Sequence, residues 1–184
     1  NQVDASGDIT GGDGIGVEIA NDGEGNQVDA ENITGTTGVV IDGAENSVAA
    51  DADITGTDGD GVVISGDEND VEADTITGED SGVVISGDEN DVDVSDLIWG
   101  QTDDGLSITG DDNRVDAGDI LGLDDGVNIA GDDNDVDVSG DITGVNGDGV
   151  DAIFVPSKSC KVLCLCGDKL DSTKDGLYVG SLSR

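Results

Sequence analysis

Histidine and methionine are absent from this sequence, proline occurs once, and phenylalanine, tryptophan and tyrosine occur once each. Without histidine there is no His-containing catalytic triad and no imidazole to ligate a metal. Only six residues are Lys or Arg against 44 Asp or Glu, a formal net charge of −38. Phosphate binding needs a basic patch, so nucleic acid is excluded as a partner, and anionic membrane surfaces are disfavoured for the same reason. No apolar run reaches the roughly 18 residues that a bilayer-spanning helix needs. Such acidity suggests disorder, yet 34% of the residues are hydrophobic and they recur with a strict period.

The charge is unevenly placed. Residues 1–153 hold 41 of the acids and one base, Arg114, whereas residues 154–184 hold five bases and three acids. That second part also contains Pro156, Phe154, Tyr178 and all three cysteines, Cys160, Cys164 and Cys166. The sequence therefore reads as an acidic body, 1–153, and a mildly basic tail, 154–184. Such asymmetry points the tail toward something acidic, and the nearest acidic object is another copy of the body.

The body is a repeat. The Ile of an Asp-Ile-Thr-Gly-like block recurs at Ile9, Ile33, Ile54, Ile76, Ile98, Ile120 and Ile142, with spacings of 21 to 24 residues. An Asn-x-Val block starts at Asn1, Asn26, Asn46, Asn69, Asn90, Asn113 and Asn134. A Gly-(Val/Leu)-x-Ile block starts at Gly16, Gly38, Gly61, Gly82, Gly105 and Gly126, and in weaker form at Gly149. Apolar and polar residues alternate within these blocks, as at Val71-Glu72-Ala73 and Val92-Asp93-Val94. Alternation with period two predicts strands with one buried face, and the abundance of Gly, Asp, Asn and β-branched residues disfavours helix. Three short strands per turn of about 22 residues describe an all-β parallel β-helix, a β-solenoid whose coils stack about 4.8 Å apart into a rod roughly 35–40 Å long.

The stretch Ile54-Thr-Gly-Thr-Asp-Gly-Asp-Gly-Val-Val-Ile-Ser-Gly-Asp-Glu-Asn-Asp-Val71 resembles the right-handed parallel β-helix repeats of pectate-lyase-like and NosD-like proteins. The resemblance covers residues 1–153 and concerns architecture, because that superfamily includes lyases, hydrolases, epimerases, adhesins and structural rods.

Stacked coils set equivalent residues in rows. The ladder Asn26, Asn46, Asn69, Asn90, Asn113 and Asn134 is expected to turn inward, bonding along the stack and satisfying turn backbone groups. Outside, acid stacks on acid, with Asp67, Asp88, Asp111 and Asp132 in one row and Glu72, Asp93, Asp116 and Asp137 in another. Two like charges about 4.8 Å apart repel by roughly 0.9 kcal/mol in water. Two remedies are open: high monovalent salt, which shortens the Debye length, or Ca²⁺ bridging carboxylates of adjacent coils, for which the Asp67 row supplies the ligands. No cofactor is required.

Other readings are weaker. Thr10, Thr34, Thr55 and Thr77 hint at an ice-binding row, but Trp99 and Leu121 interrupt it before Thr143, acids flank it, and a flat uncharged two-file array is absent. Polysaccharide-acting enzymes on this fold combine acids with a basic residue and build a cleft from long loops. Here the coils are nearly uniform, so the chain is expected not to be an enzyme. Arg114 with Trp99 one coil earlier offers a small sugar-contacting patch. Arg114 also stands in an acidic row, where Asp70, Asp91 and Asp135 occupy the equivalent positions.

The ends suggest assembly. Asn1-Gln2-Val3-Asp4-Ala5 matches Asn26-Gln27-Val28-Asp29-Ala30, and Asp175-Gly-Leu177-Tyr178-Val179 matches Asp104-Gly-Leu106-Ser-Ile108. Unpaired strand edges invite another copy to stack. The interface residues of such a stack are Asn1, Val3 and Ala5 at one end and Val162, Leu163, Leu165, Leu177, Tyr178 and Val179 at the other. Lys161-Val-Leu-Cys-Leu-Cys166 is expected to form a strand that covers the C-terminal end or inserts into a neighbour. Cys160, Cys164 and Cys166 are read as buried thiols or disulfides, since metal binding lacks a fourth ligand and the usual spacing. The chain begins without Met or an apolar leader, which suits a secreted product whose targeting segment is gone. The sequon Asn32-Ile-Thr34 is compatible with that.

These readings converge on an extracellular structural subunit that polymerises head to tail with copies of itself, a heterologous contact that generates fibres. A carbohydrate-binding adhesin or tailspike-like module is the alternative, and a polysaccharide-acting enzyme comes third.

Overall fold

A computed structural model describes residues 1–152 and the backbone of one further strand, Lys161–Cys164. The described residues contain no helix. Their strands wind through about seven coils of a β-solenoid, and each pairs in parallel with the strand one coil away. Register is kept residue for residue: Val62, Val63 and Ile64 lie opposite Val83, Val84 and Ile85, which lie opposite Leu106, Ser107 and Ile108. Each of these three-residue strands buries its first and third residues and half-exposes its second. Period-two patterning thus becomes one inward and one outward surface.

Each coil has three strand positions, as the three blocks require, but they form two sheets. The Gly-(Val/Leu)-x-Ile strands build a separate seven-stranded sheet. The other two blocks share the larger sheet, because in three coils they run on as single strands, Asp70–Gly78, Asp91–Gly100 and Arg114–Gly122. Between the two blocks lies a bend where register shifts, between Ala73/Thr75 on one strand and Val94/Leu97 on the next. The bend absorbs length differences. Val71 and Ile76 stand five apart and Val92 and Ile98 six apart, yet both pairs stay in register. An inserted residue at this corner changes neither the inward side chains nor the ladder.

The core is a narrow column of small branched side chains. Ile33, Ile54, Ile76, Ile98 and Ile120 form one fully buried row, and Val71, Val92, Val115 and Val136 another. Each such side chain contributes about 1.5–3 kcal/mol by leaving water. Beside the core, Gly66, Gly87, Gly110 and Gly131 stack so closely that a Cβ on any of them would overlap the carbonyl oxygen of the glycine one coil before. Immediately before the Asn ladder, Glu45, Glu68, Glu89, Asp112 and Asp133 all take left-handed backbone, with φ near 56°.

The tail strand Lys161–Cys164 lies on its own chain. It pairs with the last rung of the larger sheet, Lys161 opposite Asp135, Val162 opposite Val136, Leu163 opposite Asp137 and Cys164 opposite Val138. It extends the solenoid by one rung in the same parallel sense.

Candidate functional site

The Asn residues are drawn inward by what the turns need. Asn46, Asn69, Asn90, Asn113 and Asn134 are at most 2% exposed. The backbone N–H of Asn26, Asn46, Asn69, Asn90 and Asn113 each donates to the side-chain oxygen of the next ladder Asn, at 2.9 Å. The side-chain amides of Asn26, Asn46, Asn69 and Asn90 donate to that same oxygen at 2.9–3.1 Å. Asn1 joins the ladder from the first coil, its amide 2.9 Å from the Asn26 oxygen. The ladder therefore has a direction: donors point toward the C-terminal end and acceptors toward the N-terminal end.

The carboxylates assigned to cation bridging have a backbone role. The Asp67 oxygen accepts the N–H of Asp88 at 2.9 Å, Asp88 accepts that of Asp111 at 2.7 Å, and Asp111 accepts that of Asp132 at 2.8 Å. Their own carbonyls accept the N–H of the left-handed residue one coil before, as in Glu45 to Asp67 and Glu68 to Asp88. Among the described residues, the carboxylates that come together as a possible three-ligand group are others: Asp103, Asp104 and Asp124, all within 4.8 Å of one another. The repeated Asp-Asp-Gly of the turn before the third strand, at Asp103–Gly105 and Asp124–Gly126, was the available signal for it. Asp104 is 7% exposed, accepts from the Asp125 N–H and the Asn128 amide, and its burial pushes its pKa up.

Burial likewise raises Asp60, Asp70, Asp116 and Asp125, with neighbouring carboxylates such as Asp80, Asp91 and Asp124 adding to the effect. Arg114 answers part of this charge, contacting Asp116 and lying 3.4 Å from Asp91. It does not meet Trp99. Register sets Arg114 opposite Asp91, eight residues before Trp99 on the neighbouring strand, so the sugar-contacting pair read from the sequence is not assembled. The side chain of the sequon Asn32 is hydrogen-bonded within the chain. The Asn32 amide donates to Asp8 and its oxygen accepts the Asp53 N–H.

The N-terminal interface residues lie around the first coil. Val3 is 50% exposed, and a cavity of about 480 Å³ is lined by Asn1, Val3, Ile9, Val17, Ile19 and Val28. Ala5 is half-buried and packs against the core. At the other end, Val162 and Leu163 belong to the strand already described, as does Cys164. Leu165, Leu177, Tyr178, Val179, Cys160 and Cys166 lie outside the described residues.

Two outer faces carry little charge, a property the sequence pattern concealed. On the Ile-Thr-Gly face, the file Thr34, Thr55, Thr77, Trp99, Leu121, Thr143 runs beside a second file, Thr36, Thr57, Glu79, Gln101, Leu123, Val145. This two-file array carries one charge, Glu79, and holds the exposed Trp99, Leu123 and Val145. On the seven-stranded sheet, Val40, Val63, Val84, Ser107 and Asn128 stack outward beside Asp42, Ser65, Ser86, Thr109 and Ala130. Comparison with protein-family models, curated proteins and solved structures finds no match.

Proposed function

We propose that this chain is the structural subunit of an extracellular filament or surface appendage, in which copies join head to tail and the β-solenoid runs on from one to the next. The unbroken parallel register carries the reading: each rung presents the next with the same strand edge, the same Val and Ile rows and the same directed Asn ladder. Another rung of the same repeat, from a second copy, fits such an edge, and Lys161–Cys164 joins the larger sheet with matching strand direction. Kinship of the coil with pectate-lyase-like and NosD-like repeats is part of the proposal and rests on the repeat motif. So does secretion into a salt-rich or Ca²⁺-containing medium, which the acid rows favour.

Electron microscopy of the purified chain in molar salt tests it. Thin filaments with an axial repeat of roughly 40 Å are expected; a population of isolated short rods at all concentrations sinks the proposal. A carbohydrate-binding module is the second reading, favoured by Trp99 on the Ile-Thr-Gly face. Saturable quenching of Trp99 by a neutral oligosaccharide would speak for it.

A further inference from the structure

We infer that the outer face of the seven-stranded sheet is a lateral contact surface for a second copy of this chain. Four consecutive rungs of that face present no charged side chain: Val63 with Ser65, Val84 with Ser86, Ser107 with Thr109, and Asn128 with Ala130. The charged residues of its two files, Glu18, Asp42 and Asp151, stand toward its two ends. In a chain of net charge −38, two copies that approach through the acid-row faces bring carboxylates together, and low dielectric between them strengthens the repulsion. Through this face they bring Val, Ser and Thr together.

The face also has the required shape. All its strands are in unbroken register and its side chains are small, so two such faces pack like the sheets of a sandwich, about 10 Å apart. The four uncharged rungs, about 4.8 Å apart and some five residues wide, give roughly 19 Å by 16 Å. Two copies thus cover roughly 600 Å² in total, the size of a weak, concentration-dependent contact. The Ile-Thr-Gly face suits a copy less well, since Glu79 interrupts its files and Trp99 stands out from them.

Small-angle X-ray scattering in molar NaCl separates this contact from end-to-end growth, because mass per unit length reports lateral pairing and particle length reports polymerisation. The wild-type chain is expected to double its mass per unit length as concentration rises. The pair Ser65→Glu and Ser86→Glu, both at exposed positions, should return it to the single-rod value with the β-rich circular dichroism retained. If that variant fails to fold, Thr109→Glu with Ala130→Glu makes the same test two rungs away. A single-rod value for the wild type at every concentration overturns the inference, and so does doubling that survives the Glu substitutions. Doubling accompanied by a blue shift of Trp99, the only tryptophan, places the contact on the neighbouring face and overturns it too. Elongation without doubling leaves the filament reading standing and removes this one; doubling without elongation does the reverse.

Discussion

Four ladder hydrogen bonds meet at Asn90: its oxygen accepts the backbone and side-chain N–H groups of Asn69, and its own two donors reach Asn113. Asn90→Ala removes three of them and strands two donors of Asn69 in a site about 1% exposed. Leaving buried donors without partners is costly, so a loss of about 3 kcal/mol is expected, read as a lower urea midpoint. Glu68, next to the ladder, should behave in the opposite way. Its φ of 56° strains an L side chain and not a glycine, so Glu68→Gly should gain roughly 0.5–1 kcal/mol. The inward Asn rows were legible in the sequence, because a polar residue recurring at one register position between apolar blocks has to serve the turns. The left-handed acids were not: Glu and Asp at those positions look like ordinary solvated charge, and only the backbone angle reveals their task.

The described strands are two to four residues long or fused into nine or ten, and their stability comes from neighbours above and below. Gly87 shows how close those neighbours are, since a Cβ there would overlap the Gly66 carbonyl oxygen. Gly87→Ala should therefore push two coils apart and break the hydrogen bonds on both sides. The expected result is a melt well below that of the wild type, whereas Ala at the open position Gly7 would add no such overlap. Alternation at Val71–Ala73 and its equivalents was enough to specify strand type and inward face, and the repeat of about 22 residues specified the parallel register. The partition into two sheets was not visible, because it depends on whether the corner between the first two blocks keeps its hydrogen bonds. That corner differs by one residue from coil to coil, and both lengths are accommodated. The uncharged faces escaped notice for a related reason. Their files combine residues from a strand and from the turn beside it, which lie close in sequence but belong to different repeat blocks.

Over the whole molecule, charge decides how stability depends on the medium. Asp60, Asp70, Asp104, Asp116 and Asp125 have pKa values raised by burial and by neighbouring carboxylates. In the window between their ordinary and raised values, the folded chain binds more protons than the unfolded chain. Stability then falls as pH rises through that window and levels off toward neutrality, the opposite of ordinary acid denaturation. Urea midpoints in molar salt should thus be higher at mildly acidic pH, just above the usual carboxylate range, than at neutral pH. An unchanged or lower midpoint in mild acid would contradict the burial of these groups. Ionic strength should act in the same direction, with melting temperature rising from millimolar to molar NaCl as the Debye length shrinks from tens of ångströms to about 3 Å.

The ladder spacings have a further consequence. Successive Asn residues from Asn46 to Asn134 stand 23, 21, 23 and 21 residues apart, so two coils form a cassette of 44. Excising residues 69–112 would splice Glu68 to Asn113 with a long coil again followed by a short one, as at Asn46 and Asn69 now. Because each coil contacts only its neighbours, the shortened chain should fold into a rod two storeys lower, and a duplicated cassette into one two storeys higher. Length in this architecture is a matter of copy number, open to adjustment by recombination within a gene without redesign of the Asn ladder or the core rows.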